Sequence, residues 1–597
     1  MNTRHEAYSI LSDRLVFRLY WFALVILVAL MTLAGPIEGP DDFMRWVSVQ
    51  DLRNGQGWFD PYQHRLGPGE GTLMHWSRFV DAPILALYEL SSVFLPSEAA
   101  FAVTGFVWPT LLACLTLWAF AATGGALGGR EGAVAALLFG VLALLNSGKF
   151  DQYSFDHHGL QILLFAAALM FFAQRQDRRY AGLWLGACLA LSLSIGTESL
   201  AQIALIAVFA ALDWALTGTE ARRRTIAMCL GILATLLVAI LATASRTSFF
   251  YPGCDALTLS VALPLSLAAL GLLVAAALTS QSAVWGRFTS LVLVAAVAVF
   301  AAYVYAPYCL GNPIDQMPLA IRQFWLSQIT ESQNVLVVLQ RHAGETIALI
   351  LISIFLILVS VMFIRRSDAK IEYTLFLSLI AAGLVLFLYQ SRLMTFLTMS
   401  LVAVQAQVLA VLYRRYRAEG GSALGILMIL FVVFMSPKTG SAIEDRIAPR
   451  TTSNEPGAEQ TAAPAFECNT QQAMLPLQEL EPGFIIADFD YAAQILRYTD
   501  HSVLAGNYHR NKAGMLAQID LFRSESVDAG PRLNELGVDY ILICKSHPRA
   551  TYWSGVSDGD GFPAGIIQGK LPENVLEIPT SADAVFQMFR VQDLTES

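Results

Sequence analysis

The chain has 597 residues, 55% of them hydrophobic and only 14% charged, and its mean hydropathy is +0.54. An ordinary soluble domain carries about 25% charged residues, so this composition excludes a soluble globular protein and requires a bilayer around much of the chain. The formal net charge of -9 excludes nucleic acid as a partner, because a surface built to neutralise phosphates along a duplex is strongly basic.

A spanning helix needs roughly 20 mainly apolar residues, since unpaired backbone amides are too costly in hydrocarbon. Arg4, Arg14 and Arg18 precede the first such run, 19–35. The run is long, and Gly35-Pro36 stands where a small-residue cleavage site would be, which predicts an uncleaved anchor. Further spans are expected over 99–121, 132–145, 159–173, 180–195, 200–216, 226–244, 257–279, 288–305, 346–364, 373–389, 393–413 and 424–435, about 13 in all.

Alternate loops carry Arg130, then Arg175, Arg178 and Arg179, then Arg222 to Arg224, Arg287, Arg365, Arg366 and Lys370, and finally Arg414, Arg415 and Arg417. By the positive-inside rule these are cytoplasmic. The opposite loops and the carboxy-terminal region then face outward, which in a Gram-negative inner membrane is the periplasm. The expected organisation is a transmembrane domain, 1–440, a linker rich in Pro, Thr and Ala, 441–465, and a soluble domain, 466–597. In the last of these, short apolar runs alternate with helical ones, the pattern of a small α/β domain.

Two outside loops, 36–98 and 306–344, are far longer than ordinary connections of about 4–6 residues. The first opens with Asp41-Asp42 and reaches His75-Trp76-Ser77-Arg78; the second contains Ile329-Thr330-Glu331-Ser332. Trp76 beside Arg78 suits headgroup depth, with the guanidinium open to phosphate. A shorter outside loop carries Phe155-Asp156-His157-His158. Each acid has an ordinary reading as a helix cap, although the Asp41-Asp42 pair exceeds what one cap needs. Imidazoles beside a carboxylate suit Zn, Mn or Fe, while carboxylates alone suit Mg or Mn. Arg392 sits where two apolar spans meet, an expensive place for a charge and therefore a functional candidate, with a snorkelling arginine at a helix end as the alternative. Glu331 alone reads as a solvated loop residue, and Glu198 in Gly196-Thr197-Glu198-Ser199 serves as an example of how common such residues are. Cys254 with Cys309, and Cys468 with Cys544, lie in outward regions and are candidate disulfides, with free thiols as the alternative.

In this order, the motifs resemble the catalytic subunits of oligosaccharyltransferases and, more broadly, the GT-C class of polyprenyl-linked glycosyltransferases. The resemblance implies a polytopic α-helical membrane fold with an outside carboxy-terminal α/β domain. It implies that Asp41, with Asp42 as neighbour, is the first-loop acid, that Asp156 and His158 form the second metal-binding element, and that Glu331 is the late-loop glutamate. Asp41, Asp156, His158 and Glu331 are then the expected ligands of a divalent ion, Mg or Mn ahead of Zn. Arg392, with Arg78, Trp76 and His157, is expected to meet a lipid-linked phosphate. The family's Trp-Trp-Asp-Tyr-Gly motif is missing: the only tryptophan of the soluble domain is Trp553, in Tyr552-Trp553-Ser554-Gly555. The expected reaction is therefore transfer from a polyprenyl phosphate or diphosphate donor to a lipid-linked glycan or envelope polymer. Transfer to protein is the alternative within the class, and a lipid-linked-sugar flippase the alternative outside it.

Overall fold

The computed structural model describes residues 10, 12–35, 39–174, 178–447, 468–545, 549–557, 561–580 and 584–593. Arg4, Pro36, Arg175 and most of the expected linker lie outside the described residues.

The first helices are, in chain order, α1 (Arg14–Ala34), α2 (Pro40–Arg53), α3 (Arg78–Ser92), α4 (Ser97–Ser147), α5 (His158–Ala173), α6 (Arg178–Ile195), α7 (Leu200–Thr217) and α8 (Arg222–Thr243). Among the described residues nine helices are long and apolar enough to cross a membrane, and α5 and the apolar part of α6 are shorter. The 51-residue α4 is two helices in one: Gly128 and Gly129 leave the helical region, Gly129 at φ +65°. Leu117 packs near Gly140, and the Gly124 and Gly132 backbones approach closely, so the chain reverses here. Each of the expected spans falls on one of these helices or on those that follow, Leu259–Thr279, Val284–Tyr305, Ala343–Arg366, Lys370–Tyr389, Met394–Glu419 and Ser422–Phe434. The protein is a multi-pass membrane protein. Helix Lys438–Ile447 follows the last of these helices at an 89° bend. Its Glu444 carboxylate accepts the Gly344 N–H at 2.8 Å, and Lys438 pairs with Glu345 at 3.0 Å, so regular structure continues into the expected linker.

The chain forms two compact units. The first comprises 1–37, 76–312 and 329–449, and holds the apolar helices. Where α6 meets α8, a Cβ at Gly186 would overlap the Met228 carbonyl, so the small residue sets the approach of the two helices. The second comprises 38–75, 313–328 and 450–597. Its centre is a five-stranded sheet built from β3 (Phe484–Ile486), β4 (Ser502–Val503), β5 (Tyr540–Cys544), β6 (Val575–Ile578) and β7 (Phe586–Val591), after the small hairpin β1 (Tyr62–Gln63) and β2 (Thr72–Leu73). The order is β4-β3-β5-β7-β6. β3 runs parallel to β4 and β5, and β7 antiparallel to β5 and β6. Strand β5 is buried throughout, as the uninterrupted apolar run Tyr540-Ile-Leu-Ile-Cys544 requires.

Residues 39–75 of the first long loop belong to this second unit, and the loop from Trp76 onward to the first. Val503 donates its N–H to the Arg65 carbonyl, and Gly67 donates to the Val503 carbonyl, both at 2.8 Å, so the loop adds itself to the edge of β4. The Arg65 guanidinium donates to the carbonyls of Thr499 and Leu496 at 2.9 and 2.8 Å. Asn511 donates to the Thr72 hydroxyl at 2.6 Å, and Tyr508 to the Pro40 carbonyl at 3.0 Å. Helix α2 lies on this surface, with the Arg497 guanidinium over the buried Trp46 ring at 5.6 Å. Trp553 is buried against Phe522, Phe324 and Phe489, so it is a core residue and offers no exposed recognition surface. Cys468 and Cys544 are joined by a disulfide in this unit, and Cys254 and Cys309 by another in the first.

Candidate active site

In the first unit, the segment before α5 is held by a strained residue. Tyr153 is the described non-glycine residue with positive φ, +67°, a conformation that costs an aromatic residue of order 1–3 kcal/mol unless its surroundings impose it. They do: Tyr153 donates its N–H to the Gly105 carbonyl at 2.8 Å, and its ring packs on Gly105, where any Cβ would clash. Phe155 follows, buried beside Phe101. The next three residues, Asp156, His157 and His158, therefore enter the mouth of α5 in a fixed order.

The two imidazoles stack, with centroids 4.5 Å apart and planes at 28°. Both Nδ1 atoms face Asp156: His157 Nδ1 lies 2.5 Å from Oδ1, and His158 Nδ1 contacts Oδ2. Both Nε2 atoms face a second carboxylate, Glu198, whose Oε2 lies 3.3 Å from His157 and 2.8 Å from His158. Its other oxygen, Oε1, accepts from the Arg392 guanidinium. Glu198 is placed by the turn that ends α6. Gln161 donates to the Gly196 carbonyl at 3.0 Å, Thr197 donates its hydroxyl to the Cys254 carbonyl at 2.7 Å, and the Ser192 and Ser199 hydroxyls meet at 2.8 Å. The Cys254–Cys309 bond fixes the strand of chain that offers that carbonyl.

Burial alone would raise Asp156, but the two imidazoles beside it hold its carboxyl well below the usual carboxylate range. Burial would likewise raise Glu198, and the same pair of rings holds it low. Burial would lower His157; Asp156, together with Glu198 and against the opposing His158, leaves it raised above 6.5. The signs differ accordingly. The two acids stabilise the folded chain above their ordinary values of 3.8 and 4.5 and lose this contribution as pH falls well below them. His157 contributes below 6.5 and loses it as pH rises through its raised value.

Asp156, His157 and His158 each offer one ligand atom, all within 4.8 Å of one another, which suits a single divalent ion. An ion must displace the protons of both imidazoles, each held above 6.5, against burial, by Asp156 and Glu198. Mn2+ affinity is therefore expected to rise with pH at and above 6.5, by up to about tenfold per pH unit for each proton displaced. Mn2+ titrations between pH 6 and 9 check this, and an affinity independent of pH would contradict it.

The other sequence candidates fall as follows. Arg392 is on a short turn, Ser391–Leu393, 41% exposed at its side chain, and Ser391 donates its N–H to the Gln333 carbonyl at 3.0 Å. Gln333 is two residues beyond Glu331, which is exposed on the turn Thr330–Ser332 and is not among the three residues of the ligand grouping. His157, expected at the lipid phosphate, is instead buried between the two carboxylates. Arg78, expected open to phosphate, is buried and paired with Asp81 one turn along α3 at 3.1 Å, so its charge is already met. Trp76 is half-buried just before the Ser77 cap of α3. Asp41 and Asp42 belong to the second unit, half-buried at the start of α2. Asp42 accepts the Gly39 N–H at 2.9 Å as a cap, and Asp41 lies beside it in the first turn. Glu198 is the residue that sequence reasoning passed over.

No protein-family model and no curated protein matches the sequence. Among solved structures, the chain is similar to the archaeal oligosaccharyltransferase AglB from Archaeoglobus fulgidus, in complex with an inhibitory peptide and a dolichol-phosphate. The TM-score is 0.65 and identity 15%, over 93% of this chain and 72% of that one. The chain has a GT-C fold. The same archaeal enzyme in complex with Zn and sulfate aligns with a TM-score of 0.57 at 15% identity, over 92% of this chain and 70% of that chain. The mycobacterial arabinofuranosyltransferase AftD aligns with a TM-score of 0.50 at 13% identity, over 98% of this chain and 42% of that one. The GT-C fold with its carboxy-terminal sheet domain is thus the architecture that the motif order anticipates.

Proposed function

We propose that this chain is a GT-C glycosyltransferase of a bacterial inner membrane, moving a glycosyl group from a polyprenyl phosphate or diphosphate to a periplasmic acceptor. The observation that carries the reading is the pair of stacked imidazoles held between Asp156 and Glu198, with Arg392 on the far carboxylate oxygen. Such a cluster at the end of apolar helices suits a phosphate whose lipid tail stays in the bilayer. The similarity to enzymes solved with a dolichol-phosphate, and with Zn and sulfate, supports a lipid phosphate and a metal here.

In the proposed reaction, the bond between the anomeric carbon and the phosphate oxygen breaks, and the acceptor oxygen bonds to the anomeric carbon. Asp156, His157 and His158 would hold a divalent ion, and two imidazoles with one carboxylate favour Zn or Mn over Mg. Such an ion acts as a Lewis acid on phosphate oxygens. Arg392 meets the charge that develops on the leaving phosphate, and Glu331 adds a carboxylate from the turn tied to that of Arg392. The resemblance gives Asp41 the role of taking the acceptor's proton. The missing Trp-Trp-Asp-Tyr-Gly motif and the buried Trp553 favour a lipid-linked glycan or envelope polymer over a protein acceptor.

The test is a deletion strain with mass spectrometry of its envelope glycans and lipid-linked intermediates. The expected result is an accumulating polyprenyl-linked donor and a glycan lacking one sugar, restored by the wild-type chain but not by Asp41→Ala or Glu331→Ala. Full restoration by both variants would overturn the assigned roles, and an unchanged glycan and lipid profile would overturn the enzyme itself.

A further inference from the structure

The two oxygens of Glu198 have different partners. Oε2 faces both imidazole Nε2 atoms at 2.8 and 3.3 Å, and Oε1 accepts from Arg392. The side chain is 23% exposed and stands between a buried cage and a guanidinium that is 41% exposed. Histidines that bind metal through one ring nitrogen generally direct the other to a carboxylate, which fixes ring orientation and tautomer. Here the ligand grouping lies on the Asp156 side, and a single carboxylate serves both rings on the other. That same carboxylate occupies Arg392 much as a phosphate would, because carboxylates and phosphates compete for one guanidinium fork.

We infer that Glu198 is a positioning residue with two opposed effects: it orients both histidines toward the metal and holds Arg392 until a lipid phosphate replaces it. This rests on the metal and phosphate reading given above. The backbone explains why Glu198 does not drift from either duty. Thr197 is anchored to the Cys254 carbonyl and Ser199 to Ser192, so the residue between them is fixed from both sides. When phosphate takes Arg392, Oε1 is released while Oε2 keeps its place against the rings, so substrate entry costs the cage nothing. A residue that merely filled space would affect metal and phosphate binding in the same direction. Glu198 is expected to move them in opposite directions.

The experiment uses the full chain in nanodiscs, with Mn2+ alone as one probe and a short-chain polyprenyl phosphate, in the absence of metal, as the other. Glu198→Gln keeps the size of the side chain and removes its charge. Its Mn2+ affinity is expected to fall by about 10–100-fold, while its affinity for the metal-free polyprenyl phosphate rises several-fold because Arg392 is no longer held by an anion. Glu198→Asp keeps the charge and is expected to bind Mn2+ within about tenfold of wild type. It also supplies the measurement if Glu198→Gln does not fold: a loss of Mn2+ binding in a folded Glu198→Asp chain as severe as in Asp156→Ala would overturn the inference. If Glu198→Gln weakens both ligands, or alters neither, while wild type binds both, Glu198 has no such role and the metal and phosphate reading stands. If wild type itself binds neither Mn2+ nor the polyprenyl phosphate, the underlying reading fails with it.

Discussion

Asp156→Ala is expected to lower glycan transfer at least about 100-fold, a loss of the order seen when a group that stabilises transition-state charge, or supports a catalytic metal, is removed. The reason is geometric. Asp156 is the carboxylate that faces both Nδ1 atoms, so its removal takes away one of the three ligands. It also leaves two buried imidazoles with one counter-charge in place of two. Breaking a buried pair from one side costs several kcal/mol, so a lower unfolding temperature should accompany the lost activity. Asp156→Asn separates the two effects: it preserves shape and one acceptor oxygen, and is expected to fold more nearly like wild type while remaining unable to transfer. Transfer from a labelled donor, with size-exclusion behaviour and Mn2+ affinity measured on the same preparations, checks this. A folded Asp156→Ala chain that transfers normally would remove the cage from the mechanism.

Arg392→Ala is expected to reduce kcat/KM for the lipid-linked donor by about 10–100-fold, the range for one charge-assisted hydrogen bond to an anion. Most of the loss should appear in KM if Arg392 holds the phosphate in the ground state, and in kcat if it acts only as the phosphate departs. Arg392→Lys keeps a point charge without the planar fork and should recover part of the activity. Metal affinity should change little, because Arg392 contacts the outer oxygen of Glu198 and not the rings. An Arg392→Ala enzyme with unchanged KM and kcat would place the phosphate elsewhere.

The spans were legible because hydropathy over about 20 residues is a local property, and the bilayer demands it of each helix separately. The Asp156-His157-His158 triplet was legible for a similar reason: three metal-competent side chains in succession are rare enough to stand out. Glu198 was not. It lies 40 residues beyond His158, at the end of another helix, and becomes notable only when the turn after α6 places it against both rings. The one local hint is Gly196, where a Cβ would press on Gln161 and approach His157. Arg78 misled in the opposite sense, since its Asp81 partner sits one turn away in plain view and helical spacing of i,i+3 already predicts the pair. The first loop shows the limit of reading a chain in order. Nothing in 38–75 announces that its partners are β4 and the residues around it, because edge pairing of backbone leaves no side-chain signature.

That pairing has a consequence for biogenesis. Arg65 and the Leu496 carbonyl it caps are 431 residues apart. At about 5–20 residues per second a ribosome needs roughly 20–90 s to make the intervening chain. During that interval α2 has emerged but its docking surface has not, so the residues it buries, Phe43, Met44, Trp46 and Val47 among them, wait unmet. The second unit therefore cannot form until the end of the chain has been made.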